Sequence, residues 1–219
     1  MNRYKKKVVL KEEAEKYILK FDYTGIKKRI RRNLPIEPEK PVDLFEIFRN
    51  NNPVEIEVGF GTGRFILEYS RKNTHINILG IEITRKMVDH VANKLFSENI
   101  ENVRVIHFDA RPFVQAKIPD KSIQKIHIYF PDPWIKKRHI KRRIINHDFL
   151  IAVCRTLKKG GRFNLLTDSK DYFEYFLEHK KDLGKFEDSS DMEDHTPTSY
   201  ELKWLNRGRK IFRSVLKKP

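Results

Sequence analysis

Two prolines enclose a single carboxylate in the run Phe130-Pro131-Asp132-Pro133-Trp134. Proline fixes its own φ and keeps the preceding residue out of the helical region, so Asp132 is expected to sit in extended backbone with little freedom. A carboxylate held in this way suits the orientation of a substrate, or the stabilisation of positive charge developing on it. Tyr129, Phe130 and Trp134 are candidate stacking faces for an exposed base, a contact worth roughly 1–3 kcal/mol, with core packing an equal alternative for each. Directly after comes Lys136-Lys137-Arg138-His139-Ile140-Lys141-Arg142-Arg143, six Lys or Arg in eight positions. Such a run is usually a solvated face. At the mouth of a reaction loop, however, it would draw in a phosphate backbone, which makes Lys137, Arg138, Lys141, Arg142 and Arg143 candidate phosphate contacts.

A second constellation lies upstream, in Glu57-Val58-Gly59-Phe60-Gly61-Thr62-Gly63. Alternate glycines at 59, 61 and 63 after a strand let the backbone turn sharply and approach a ligand, with a helix N-terminus just beyond. The dinucleotide fingerprint would require a third glycine at Arg64 or Ile66, and neither fits. Glu57 would repel a pyrophosphate, but it can help to hold the cationic methionine end of S-adenosylmethionine, so a methyl donor is favoured over a nicotinamide dinucleotide. Glu82, closing Gly80-Ile81-Glu82, can accept ribose hydroxyls, and Asp109, followed by Ala110, can accept an adenine amino group. Any one of these carboxylates alone could be a helix cap or a solvated strand end. Three at successive strand ends form a constellation.

The elements that must carry these residues alternate regularly. Strands are expected over 54–58, 76–81, 103–107, 123–129 and 162–166, and helices over 64–71, 85–96, near 112–116, and over 149–157 and 171–179. This order requires a doubly wound, Rossmann-like α/β domain with a mostly parallel sheet, whose ligands bind beyond the carboxyl ends of the strands. The tail 198–216 offers antiparallel strands for the sheet edge. Residues 1–52 read as a basic arm and linker, with a helical stretch from about Lys11 to Phe21 and prolines at 35, 38 and 41; residues 53–219 form the main domain.

Composition agrees with a polyanionic partner. The chain has 219 residues, with 46 Lys and Arg against 30 Asp and Glu, a formal charge of +16. That excess points to nucleic acid. There is no apolar run of membrane-spanning length and no leader-like apolar segment, so a cytoplasmic protein without a membrane partner is expected. Cys154 stands alone in an apolar stretch, and the histidines show no ligand spacing, so no metal is expected.

With these residues in view, the chain resembles the tRNA (guanine-N7)-methyltransferases of the bacterial single-subunit type. The resemblance rests on Glu57 to Gly63, Gly80-Ile81-Glu82, Phe130 to Trp134 with its basic tail, Thr167-Asp168 and Thr198-Ser199-Tyr200-Glu201. It implies methylation of guanosine N7 at conventional position 46 of the tRNA variable loop, with S-adenosyl-L-methionine as cofactor bound by Glu57, Glu82, Asp109 and the Asp132 region, and Asp132 as the catalytic carboxylate. It further implies that Lys136, Asp168, Thr198, Ser199, Tyr200 and Glu201 bind substrate. Two alternatives stay open: a methyltransferase for another structured RNA, and a non-catalytic RNA-binding module on the same fold. Monomer and homodimer are equally compatible with the sequence.

Overall fold

The computed structural model describes residues 8–32, 34–183, 186–189, 192 and 196–219. The basic run Lys5 to Lys7 lies outside them. Eight strands, β1 (Ile18–Leu19), β2 (Val54–Val58), β3 (Asn77–Glu82), β4 (Val103–His107), β5 (Ile123–Tyr129), β6 (Leu157–Thr167), β7 (Glu187–Ser189) and β8 (Phe212–Lys217), form one sheet in the order β1-β4-β3-β2-β5-β6-β8-β7. Pairings from β1 through β6 are parallel, and β8 runs antiparallel to both β6 and β7, which gives the expected antiparallel C-terminal edge. β2 lies between β3 and β5, so the chain reverses its direction of travel across the sheet there. The crevice outside the carboxyl ends of β2 and β5 is therefore the switch-point site.

Among the described residues, eight α-helices accompany the sheet: α1 (Thr24–Arg31), α2 (Leu44–Phe48), α3 (Arg64–Lys72), α4 (Arg85–Ser97), α5 (Ala110–Lys117), α6 (His147–Thr156), α7 (Lys170–Lys180) and α8 (Ser199–Leu205). Two apolar cores separate the layers. Val54, Ile56 and Val58 of β2 and Ile126 and Ile128 of β5 pack with α5, α6 and α7. On the other face, α3 and α4 bury Phe65, Ile66, Val88, Val91 and Leu95. In α4, Val88, Val91, Ala92 and Leu95 follow the i, i+3, i+4, i+7 spacing of an amphipathic helix. Because side chains alternate along a strand, Glu55 and Glu57, and likewise His127 and Tyr129, fall on the α3 face.

The segment the sequence presents as an arm and linker joins this body. Glu12–Tyr17 is a 3₁₀ turn rather than a longer helix, and the chain then extends as β1, with Ile18 beside Val105 and Leu19 beside Ile106 of β4. Pairing covers what would otherwise be an open sheet edge. Ala14, Tyr17 and Ile18 are buried, and Ile26 of α1 is only 1% exposed. Ile26→Ala should therefore cost about 2–5 kcal/mol and lower the Tm by several degrees. An unchanged Tm in a thermal melt would mean that this segment does not pack on the domain.

Candidate active site

The first βα turn is built by glycines doing two different tasks. Gly59, Gly61 and Gly63 have φ of 75°, 52° and 81°, left-handed conformations that glycine adopts without steric cost. A Cβ at Gly59 or Gly61 would meet nothing within 4 Å, so open space lies beside the backbone there, whereas one at Gly63 would fall 2.5 Å from Val91 Cγ2. Gly63 thus permits α3 to pack on α4, and the first two glycines leave room for a ligand.

The carboxylates converge on this turn. Glu82 accepts the Gly61 N–H at 3.0 Å through Oε2 and the Thr84 N–H at 2.8 Å through Oε1. Asp109 caps α5, accepting the Arg111 N–H at 3.0 Å, so the helix-cap alternative holds for it, and it also lines the cleft. Gly59, Glu82, Asp109, Ala110 and Asp132 all line one cleft with Phe130, Trp134 and Arg142. Glu57 lies beneath the turn. It is buried, accepts a backbone N–H from Ile66 in the first turn of α3, and leaves Oε2 without a hydrogen-bond partner. Burial, reinforced by the neighbouring Glu82 carboxylate, raises its carboxyl to about 8. An orphaned buried acceptor, open backbone at two glycines and cleft-lining carboxylates suited to hydroxyl and amino donors fit S-adenosylmethionine.

Asp132 stands at the centre of a strained loop. Phe130 and Trp134, flanking the Pro-Asp-Pro run, have φ of 52° and 41°, rare for residues of their size. Phe130 donates its N–H to the Leu166 carbonyl at 2.8 Å, and Arg143 Nε donates to the Pro133 carbonyl at 2.9 Å. The Arg142 guanidinium lies over the Trp134 ring, 5.1 Å from its centroid. Phe130 stacks with Tyr200 at 6.2 Å.

Several expected positions turn out differently. Arg143 is not a surface phosphate contact: it is 2% exposed, ion-paired with Asp171, and lies over the rings of Tyr172 and Tyr175 at 5.2 and 4.7 Å. Lys136, Lys137, Arg138, Lys141 and Arg142 remain exposed, on and beside a 3₁₀ turn at Lys137–Arg142. Tyr129 is buried rather than free to stack on a base, and its ring packs edge-on to Phe65 at 4.9 Å. Thr198 caps α8 by accepting the Glu201 N–H at 3.0 Å, and Ser199 is exposed. Tyr200 of this group reaches the reaction loop, through its stack on Phe130. Glu201 faces inward, buried and paired with Arg213 at 2.9 Å, and Asp168 pairs with Arg209 at 3.3 Å.

A buried polar chain under α3 has no counterpart in the sequence reading. Glu55 Oε2 meets His127 Nε2 at 2.9 Å, and His127 Nδ1 meets the Tyr129 hydroxyl at 2.7 Å and Asn164 Nδ2 at 3.3 Å. Lys125 Nζ lies 3.4 Å from Glu55 Oε1. Burial raises the Tyr129 hydroxyl well above its ordinary value, so it stays protonated beside His127 Nδ1. The period-two polar positions Glu55 and Glu57, and His127 and Tyr129, were the available signal for this layer.

Glu57 generates a pH prediction. A carboxyl raised in the folded state supports folding at low pH, and that contribution falls by about 1.4 kcal/mol per pH unit as pH rises from 4.5 towards 8. A nearby sulfonium favours the ionised form, so S-adenosylmethionine affinity should rise up to roughly tenfold between pH 7 and 9, with proton release on binding. Calorimetry in buffers of different ionisation enthalpy reads both effects. Glu57→Gln should abolish them; equal proton release by that variant would remove Glu57 from the account.

Known proteins supply the remaining constraint. Residues 51–214 match a family model described as "Putative methyltransferase". The tRNA (guanine-N(7)-)-methyltransferase of Cronobacter sakazakii is 37% identical over 179 residues, which cover 80% of this chain and 75% of that one. Its namesake in Colwellia psychrerythraea is 32% identical over 177 residues, covering 80% and 72%. Among solved structures, an antibiotic-related methyltransferase shares the fold, with a TM-score of 0.56 at 22% identity over 81% of this chain and 96% of that chain. With this extent of identity, and with the glycine turn and the Pro-Asp-Pro loop sharing one cleft, the chain belongs to the tRNA (guanine-N(7)-)-methyltransferase family.

Proposed function

We propose that this protein transfers the methyl group of S-adenosyl-L-methionine to N7 of a guanine in tRNA, in the cytoplasm, and that Asp132 is its catalytic carboxylate. The observation that carries the reading is the placement of Asp132, which shares one cleft with Gly59, Glu82 and Asp109. When bound, the cofactor supplies an electrophilic methyl on a sulfonium. Glu82 would accept the ribose hydroxyls and Asp109 the adenine amino group, and Glu57 beneath the turn would balance the cationic end.

Guanine N7 carries a lone pair and no proton, so no base is needed at the reacting atom. Positioning is the larger task, and alignment of two bound reactants can supply several kcal/mol of the barrier. Asp132 accepts hydrogen bonds from a guanine N–H edge or stabilises the positive charge that alkylation places on the ring. Phe130, Trp134 and Tyr200 border the entrance at which the base would stack. Lys136, Asp168, Thr198 and Ser199 are assigned to substrate with them, and the exposed Lys137, Arg138, Lys141 and Arg142 to phosphates. Glu201 serves this group from within, by fixing α8 through Arg213.

Labelled S-adenosylmethionine and unmodified tRNA test the reading, with aniline cleavage locating any N7-methylated guanosine. Cleavage in the variable loop at position 46 is expected; label only in another RNA, or RNA binding without transfer, would overturn it. Asp132→Asn should lower kcat by on the order of 10²-fold with little change in tRNA affinity. A near wild-type kcat would remove the electrostatic role.

A further inference from the structure

The α1 helix carries cations that the site described above does not use. Lys27, Lys28, Arg31 and Arg32 line one shallow surface with Thr24. Their spacing, one turn apart in two adjacent rows, puts them on a common face. Of the α1 cations, Arg29 alone is ion-paired among the described residues, with Glu37. Lys28, Arg31 and Arg32 are exposed.

What distinguishes this surface from an ordinary solvated helix is that the start of α1 is fixed beside the cleft. Tyr23, immediately before α1, stacks on Phe108 with centroids 3.8 Å apart and planes 11° from parallel. Phe108 lines the cleft, as do Ile83 and Asp109, and the same three residues line the adjoining groove with Tyr23, Lys27 and Arg85. β1 is parallel to β4, so the chain leaves its C-terminal end at the same sheet edge as the reaction loop. In the order β1-β4-β3-β2-β5, four strand spacings of about 4.8 Å separate β1 from β5, or roughly 19 Å. The basic segment after Trp134 borders one side of the cleft, and the start of α1, through Tyr23 and Lys27, borders the groove that adjoins the other.

We propose that α1 is a phosphate-binding surface for the substrate RNA, so that an RNA lying across the cleft is held on both sides of the methylated base. The inference rests on tRNA as the substrate class. A flexible basic arm would add affinity without position. Lys28, Arg31 and Arg32, held by the Tyr23–Phe108 stack and the buried Ile26, add both, because ordering of the cations precedes binding.

The test is the triple variant Lys28→Gln, Arg31→Gln, Arg32→Gln, which leaves Tyr23, Ile26 and every cleft residue in place. Each phosphate contact contributes roughly 0.7–0.9 to the slope of log affinity against log salt, so the variant's slope for tRNA should be shallower by about 2 to 3. Its tRNA Kd near 0.1 M salt should weaken by on the order of tenfold or more, with S-adenosylmethionine affinity unchanged. An unchanged salt slope overturns the proposal, whether or not methyl is transferred. So does equal loss of binding to vesicles of anionic lipid with tRNA binding intact, which would mark α1 as a membrane contact. An α1-dependent slope in a wild-type protein that transfers no methyl group would sustain the α1 surface and contradict the enzymatic reading instead.

Discussion

The buried guanidinium of Arg143 is the interaction on which the reaction loop depends. Two bulky residues in left-handed backbone, Phe130 and Trp134, cost of the order of 1–3 kcal/mol each and persist only where the surroundings over-determine them. Arg143 supplies much of that determination, donating to the Pro133 carbonyl while Asp171 and the rings of Tyr172 and Tyr175 hold its charge. Ile145, two residues on, donates its N–H to the Tyr172 hydroxyl at 3.3 Å, so α7 grips the chain at two successive points. The prolines then limit what remains. Asp132 is exposed to the cleft but is not free to wander within it.

The sheet places the other half of the site by the same economy of position. β2 is buried on both faces, and its apolar residues Val54, Ile56 and Val58 all face α5 and α6, which leaves Glu55 and Glu57 under α3. Each of these carboxylates has its own solution. Burial would raise Glu55, but the hydrogen bond from His127 and the charge of Lys125 outweigh it and hold its carboxyl below the usual range. Glu57 has no cation beside it among the described residues, and burial, with the Glu82 carboxylate, keeps it raised. A buried acceptor without a partner is costly, and Glu57 keeps one beside the glycine turn.

The alternation of strands and helices was legible because parallel strands read as apolar runs between turn residues, and the glycine turn and Pro-Asp-Pro loop because their backbone needs are written in residue type. Arg143 was not legible. Within Lys136 to Arg143, nothing local says which cation turns inward, since its partner Asp171 is 28 residues away and belongs to another helix. β1 was missed because two residues cannot display a period, and only the edge of β4 makes Ile18 and Leu19 a strand. The burial of Glu201 was no more legible than that of Arg143: its partner Arg213 lies on β8, which only the folded sheet brings alongside.

Since Arg143 belongs to the basic run by sequence and to the loop's support by structure, its conservative replacement separates the two roles. The measurement is kcat for methyl transfer to tRNA by Arg143→Lys, together with the salt slope of tRNA binding. Lysine keeps the charge beside Asp171 but lacks the planar fork that also reaches Pro133. A brace for the reaction loop predicts a kcat at least tenfold lower, with the salt slope unchanged. An unchanged kcat, with tRNA binding alone altered, would contradict it.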